Sequence, residues 1–132
     1  MRALADLICK NAFSELKSLR IFRDRSVTDA GVTVLVEALQ KSKHTYLEEL
    51  DLEGVGIGAI GMAALASLVD QGRLEQLKTL DISQNNALTQ QGIITLARAI
   101  DERGLPMLQT FSMKRLREMT TIGISAIAHA LI

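Results

Sequence analysis

The chain has 132 residues, 48% of them apolar and 23% charged, with 15 basic side chains balanced by 15 acidic ones. That is enough for one domain with a real core and too few for two, and the apolar content is far above that of a disordered chain. Zero net charge and an aromatic content of three Phe, one Tyr and no Trp argue against a general nucleic-acid or acidic-membrane binder and against a base-stacking surface.

The first element is an apolar helix carrying Leu4, Leu7 and Ile8, with Phe13 beyond it. Asp6 stands where a signal peptide needs an apolar stretch. Cys9, the single cysteine, reads as a small core residue and fits a reducing compartment. No apolar run approaches the ~20 residues of a membrane span. A soluble, cytoplasmic domain is expected.

From residue 16 onward one pattern recurs. Glycines at 31, 61, 92 and 123 and leucines at 16, 47, 77 and 108 are all spaced 30 or 31 residues apart. The first copy reads Leu16-Lys17-Ser18-Leu19-Arg20-Ile21, then Val27, Gly31, Leu35 and Leu39. The second has Leu47, Leu50 and Leu52, then Ile57, Gly61, Leu65 and Val69. In the third, Leu77, Leu80 and Ile82 precede Leu88, Gly92, Leu96 and Ile100. The fourth places Leu108, Phe111 and Met113 before Met119, Gly123, Ile127 and Leu131. Each copy opens on an alternating segment such as Leu50-Asp51-Leu52, a short strand with one wet face. Each then shows apolar residues at helical spacing, predicting helices over 32–39, 62–69, 93–100 and 124–131. Asp29 and Thr89 are candidate acceptors at helix starts. The residues of the first helix align two repeats before Leu65, Leu68, Val69 and Leu74, so the divisions are a half repeat 1–15 and repeats 16–46, 47–76, 77–107 and 108–132, forming a single domain. Both ends lack a polar capping unit, which predicts a piece of a longer array or self-association through the terminal repeats.

On these residues the chain resembles a leucine-rich repeat protein of the ribonuclease-inhibitor-like class. The clearest copy is Leu77-Lys78-Thr79-Leu80-Asp81-Ile82, followed by Asn85, Leu88, Gly92, Leu96 and Ala97. The resemblance implies an α/β solenoid of about four repeats, a short curved parallel sheet on the concave side and helices on the convex side. Asn85 alone occupies the family's bridging Asn position; Asp24, Val55 and Leu116 stand there in the other copies, and looser turns are expected at Val55 and Leu116.

Three motifs suggest chemistry, and each has a plainer explanation. Gly56-Ile57-Gly58-Ala59-Ile60-Gly61, with Asp81 twenty residues on, matches a dinucleotide-binding fingerprint in spacing. Only its last glycine recurs in the other copies, and the preceding strand has a charged face where a dinucleotide fold buries both. Asp51 and Asp81 share a strand column about 5 Å apart, as an acid–base pair does, but that face is open to water. His129 sits in an exposed helix column and His44 in a link, so neither makes a metal site. No cofactor, metal or catalytic residue is expected.

What remains is the concave face: Arg20, Phe22 and Arg23; Glu49, Asp51 and Glu53; Thr79, Asp81 and Ser83; Ser112, Lys114 and Arg115. Basic residues flank a middle in which seven acids face two bases between positions 47 and 81, a pattern that governs choice of partner and association rate. The expectation is a non-catalytic protein-interaction scaffold binding another protein, with no nucleic acid and no membrane. The alternatives are a small-GTPase activator and a structural spacer in a larger receptor or cytoskeletal protein. The nuclease-inhibitor role itself is disfavoured, because that relative is rich in cysteine.

Overall fold

The computed structural model describes residues 1–10, 15–21, 23–42, 46–117 and 120–131. Its elements follow the repeat: α1 (Arg2–Cys9), β1 (Ser18–Arg20), α2 (Thr28–Lys41), β2 (Glu49–Asp51), α3 (Ala59–Asp70), β3 (Thr79–Asp81), α4 (Gln90–Arg103), β4 (Thr110–Ser112) and α5 (Thr121–Ala130). The strands form one parallel sheet in the order β1-β2-β3-β4, and every register partner is the repeat equivalent: Leu19 opposite Leu50, Leu80 and then Phe111. Consecutive helices pack side by side from α1 to α5. A strand–helix unit cannot bury its apolar face alone, so the core is continuous from unit to unit.

That core is formed by the repeat columns. Leu50, Leu52, Ile57, Leu65 and Leu68 of the second repeat, and Leu80, Ile82, Leu88, Ile93 and Leu96 of the third, are fully buried. The outer repeats are less enclosed: Ile21, Phe111 and Met113 are half-buried, and Leu7 is exposed.

The first three strands continue their ladders past the last regular residue. Arg23 N–H donates to the Glu53 carbonyl, Gly54 to Ser83 and Gln84 to Lys114. The residues in that column then turn the chain off the sheet with left-handed backbones: Arg23 at φ 60°, Gly54 at 66°, Gln84 at 58° and Arg115 at 55°. Only Gly54 adopts this conformation without steric cost. The recurrent glycines do something different. Gly61 has no positive φ, but a β-carbon there would lie 2.5 Å from Asp29 Oδ1 and 2.7 Å from Ile57 Cγ1. Close approach fixes that glycine.

Helix starts differ between repeats. Thr89 Oγ1 accepts from Gly92 N–H, and Thr120 Oγ1 from Gly123 N–H, both at 3.3 Å. Asp29 does not cap its own helix as expected, because it lies inside α2 and Thr28 before it takes φ 56°. Its carboxylate reaches the next unit, accepting from Gly58 N–H at 2.6 Å and Gly61 N–H at 2.9 Å. The start of α3 is thus capped from α2. The opposite end of α2 is closed from the following repeat, where the Arg73 guanidinium donates to the Gln40 carbonyl at 2.6 Å and to the Ser42 carbonyl.

Cys9 departs from its expected place in the core. It is exposed at the end of α1, with its thiol 3.9 Å from the Ala38 carbonyl of α2. Phe13, His44 and Met119 lie outside the described residues.

Candidate functional site

Alternation along each strand leaves one side chain in two on the concave face. Ser18 and Arg20 flank buried Leu19, Thr79 and Asp81 flank buried Leu80, and Thr110 and Ser112 flank Phe111. Register places Arg20, Asp51, Asp81 and Ser112 side by side across the sheet. Glu53, Ser83, Lys114, Arg23 and Arg115 continue the same rows past the strand ends. Phe22 lies outside the described residues.

Two residues assigned to the exposed face are buried. Asp51 is 7% accessible and Ser83 4%. Parallel strands sit about 4.8 Å apart, so short side chains are shaded by longer neighbours on both flanks. Arg20 lies over Asp51, its Nε 3.4 Å from Asp51 Oδ2 and 3.7 Å from Glu49 Oε1. Ser83 Oγ accepts from Lys114 N–H at 2.9 Å.

The charge pattern is largely spent within the molecule at the first strands. Arg23 Nε lies 3.4 Å from Glu53 Oε1, Lys78 Nζ 3.0 Å from Glu48 Oε2, and Ser18 donates to Glu49 at 2.5 Å. Asp51, Glu53 and Asp81 bring carboxylate oxygens within 4.8 Å of one another, a cluster that sequence reasoning saw only as a pair. Each acid is already engaged. Asp51 Oδ1 accepts from Glu53 N–H at 3.0 Å, Asp81 Oδ1 from Ser83 N–H at 2.8 Å, and Glu53 from the Gln84 amide.

The glycine-rich segment is equally committed. In a dinucleotide site the N–H groups at the helix start meet a pyrophosphate. Here Gly58 and Gly61 N–H donate to Asp29, while Gly56 and Ile57 N–H donate to Asn85 Oδ1 at 2.9 and 3.1 Å. The anion position is filled by the chain's own carboxylate.

Two grooves border the face. At the strand N-terminal ends, Glu15, Lys17, Tyr46, Glu48 and Gln76 line a cavity of 390 Å³. At the C-terminal ends, Arg23, Arg25, Gly54, Gln84 and Arg115 line one of 410 Å³. Arg25 and Gln84 escaped the sequence reading because they lie beyond the strand alternation. The column of left-handed residues, Arg23-Gly54-Gln84-Arg115, is the signal that finds their row.

A family model described as a leucine-rich repeat matches residues 43–66 and 76–97, the second and third units of this geometry. The match supports a leucine-rich repeat protein. Its fold is an α/β leucine-rich repeat solenoid of about four repeats, also found in solved structures. One of these, the tropomodulin C-terminal domain from Caenorhabditis elegans, is 14% identical with a TM-score of 0.56 over 98% of this chain and 89% of that one. No curated protein sequence matches. At that identity the structural likeness carries the fold alone. Leucine-rich repeats generally serve as protein–protein interaction scaffolds and are typically non-catalytic.

Proposed function

We propose that this leucine-rich repeat protein is a non-catalytic scaffold that binds a partner protein on its concave strand face. One observation carries this reading: the alternate side chains Arg20, Glu49, Thr79, Asp81 and Thr110 stay accessible in register while the intervening leucines are buried. A rigid sheet with ordered side chains binds at low entropic cost, because little must be fixed on association. The non-catalytic part is supported by the engagement of Asp51, Glu53 and Asp81 with internal donors. The ribonuclease-inhibitor-like subclass is supported by helices of 14, 12, 14 and 10 residues following the four strands. The free Cys9 thiol fits the cytoplasm. Exposed Ile122, Ile124 and Leu131 on and after α5 support self-association at that repeat, to be read by sedimentation at several concentrations.

Peptides selected from a random library on the immobilised protein test the main reading. Thr79→Arg or Thr110→Arg is expected to weaken their binding about tenfold or more by filling the face, with Ala63→Arg on the convex side inert. Binders that respond to Ala63→Arg and ignore the strand substitutions overturn it.

A further inference from the structure

We propose that the groove at the C-terminal rim of the sheet, between Arg23, Arg25 and Arg115, takes an acidic peptide segment of the partner. This rests on the reading of the concave face as the protein-binding surface and names the chemistry of what docks there.

The left-handed column places Arg23, Gly54, Gln84 and Arg115 side by side across four consecutive repeats. Gly54 has no side chain, so the row is open between Arg23 and Gln84, and the opening is the 410 Å³ groove. Its lining carries three guanidinium groups and no acid. Of the acids nearby, Glu53 is paired with Arg23 and held by the Gln84 amide, which leaves Arg25 and Arg115 to face an incoming carboxylate, and Asp24 accepts from the Ser26 hydroxyl and amide. Arg25 and Arg115 are exposed and form no ion pair with a described residue. Arginine forks match carboxylates in a bidentate fashion and are weakly hydrated, which suits them to this task better than lysine. The backbone points the same way. Arginine at φ 60° and 55°, where the second repeat uses glycine, is a local cost the fold carries in keeping these side chains on the rim.

The spread of the charges favours a peptide over a lone ion. The Arg23 and Arg115 columns are three strand spacings apart, about 14 Å, so a run of several carboxylates meets both where a single oxyanion does not. At such an exposed rim the attraction acts mainly on association rate and on choice of partner, and falls with salt.

The probe is a fluorescein-labelled peptide of alternating Asp and Glu, compared by anisotropy with its Asn/Gln counterpart and with inorganic phosphate as competitor. The acidic peptide is expected to bind at low salt and the neutral one not. Arg25→Gln with Arg115→Gln is expected to weaken binding about tenfold; Arg98→Gln on the convex side leaves it unchanged. Equal binding of both peptides, or a double variant that binds like the parent, overturns the proposal. Inorganic phosphate that binds through Arg25 and Arg115 while the acidic peptide does not also overturns it. If the acidic peptide fails while Thr79→Arg still abolishes the library-selected binders, the groove assignment falls and the scaffold reading stands.

Discussion

Asn85 is fully buried, and its amide is saturated: Oδ1 accepts from Gly56 and Ile57 N–H, and Nδ2 donates to the carbonyls of Leu52, Ile82 and Ser83. It closes the turn of the preceding repeat as well as its own. Asn85→Ala strands several buried backbone groups and is expected to cost about 3 kcal/mol in urea unfolding. A loss near zero would mean that water replaces the amide. The other repeats manage without it. Val55 is buried as plain core, and in the first repeat Asp24 takes Ser26 N–H. The Ser26 hydroxyl first, and then its amide, hold the Asp24 carboxyl below its ordinary 3.8. A depressed folded pKa contributes stability above the unfolded value that is lost as pH falls through the folded one. An NMR titration is expected to place the Asp24 midpoint below 3.8, and Ser26→Ala to move it upward. The glycines separate cleanly. Gly61→Ala meets Asp29 Oδ1 at 2.5 Å and is expected to cost about 1–3 kcal/mol. Gly123→Ala finds nothing nearer than 3.7 Å and is expected to gain about 0.5–1 kcal/mol as a helical alanine. Equal melting-temperature changes would refute the close-approach argument. Gly54 is no neutral control, since its φ of 66° strains any side chain.

The end of α2 and the start of α3 are capped by their neighbours. The first amides of α3 are satisfied by a carboxylate on α2, and the last carbonyls of α2 by Arg73 beyond α3. Such capping fastens adjacent repeats as well as the helix end, and it places a negative charge at the positive end of the α3 dipole. Asp29→Ala is expected to cost about 1–2 kcal/mol, within the range of a lost N-cap. Because the methyl of Gly61→Ala collides with the same oxygen, the double variant Asp29→Ala/Gly61→Ala is expected to be less damaged than the sum of its parts. Additive urea midpoints would show that the collision is relieved elsewhere.

At the scale of the molecule, contacts among the described elements run only between adjacent units, α1 to α2 through to α4 to α5 and β1 to β2 through to β3 to β4. Stability in such an array is a sum of unit and interface terms, and α1 and α5 have a helix neighbour on one side only among the described elements. Amide exchange is expected to be slowest in β2, β3, α3 and α4 and fastest in α1 and α5, as local opening begins where interfaces are fewest. Uniform protection from α1 to α5 would show instead that the whole array opens as one unit.

The repeat period, the strand and helix of each unit, the parallel order and the core columns were all legible in the amino-acid sequence. Each depends on residue type at fixed spacing, and a solenoid makes spacing equivalent to position. Register follows for the same reason: Leu19, Leu50, Leu80 and Phe111 align because equal repeats stack equally. Partnership between side chains was not legible. That Arg20 covers Asp51, that Asp29 caps the helix of the next repeat, and that Cys9 is exposed depend on rotamers and on how neighbouring units pack. The basic groove required the left-handed turn at four equivalent positions. Only one of those positions is a glycine, so the backbone conformation that joins them was set by stacking against adjacent turns and left no mark in the residue types.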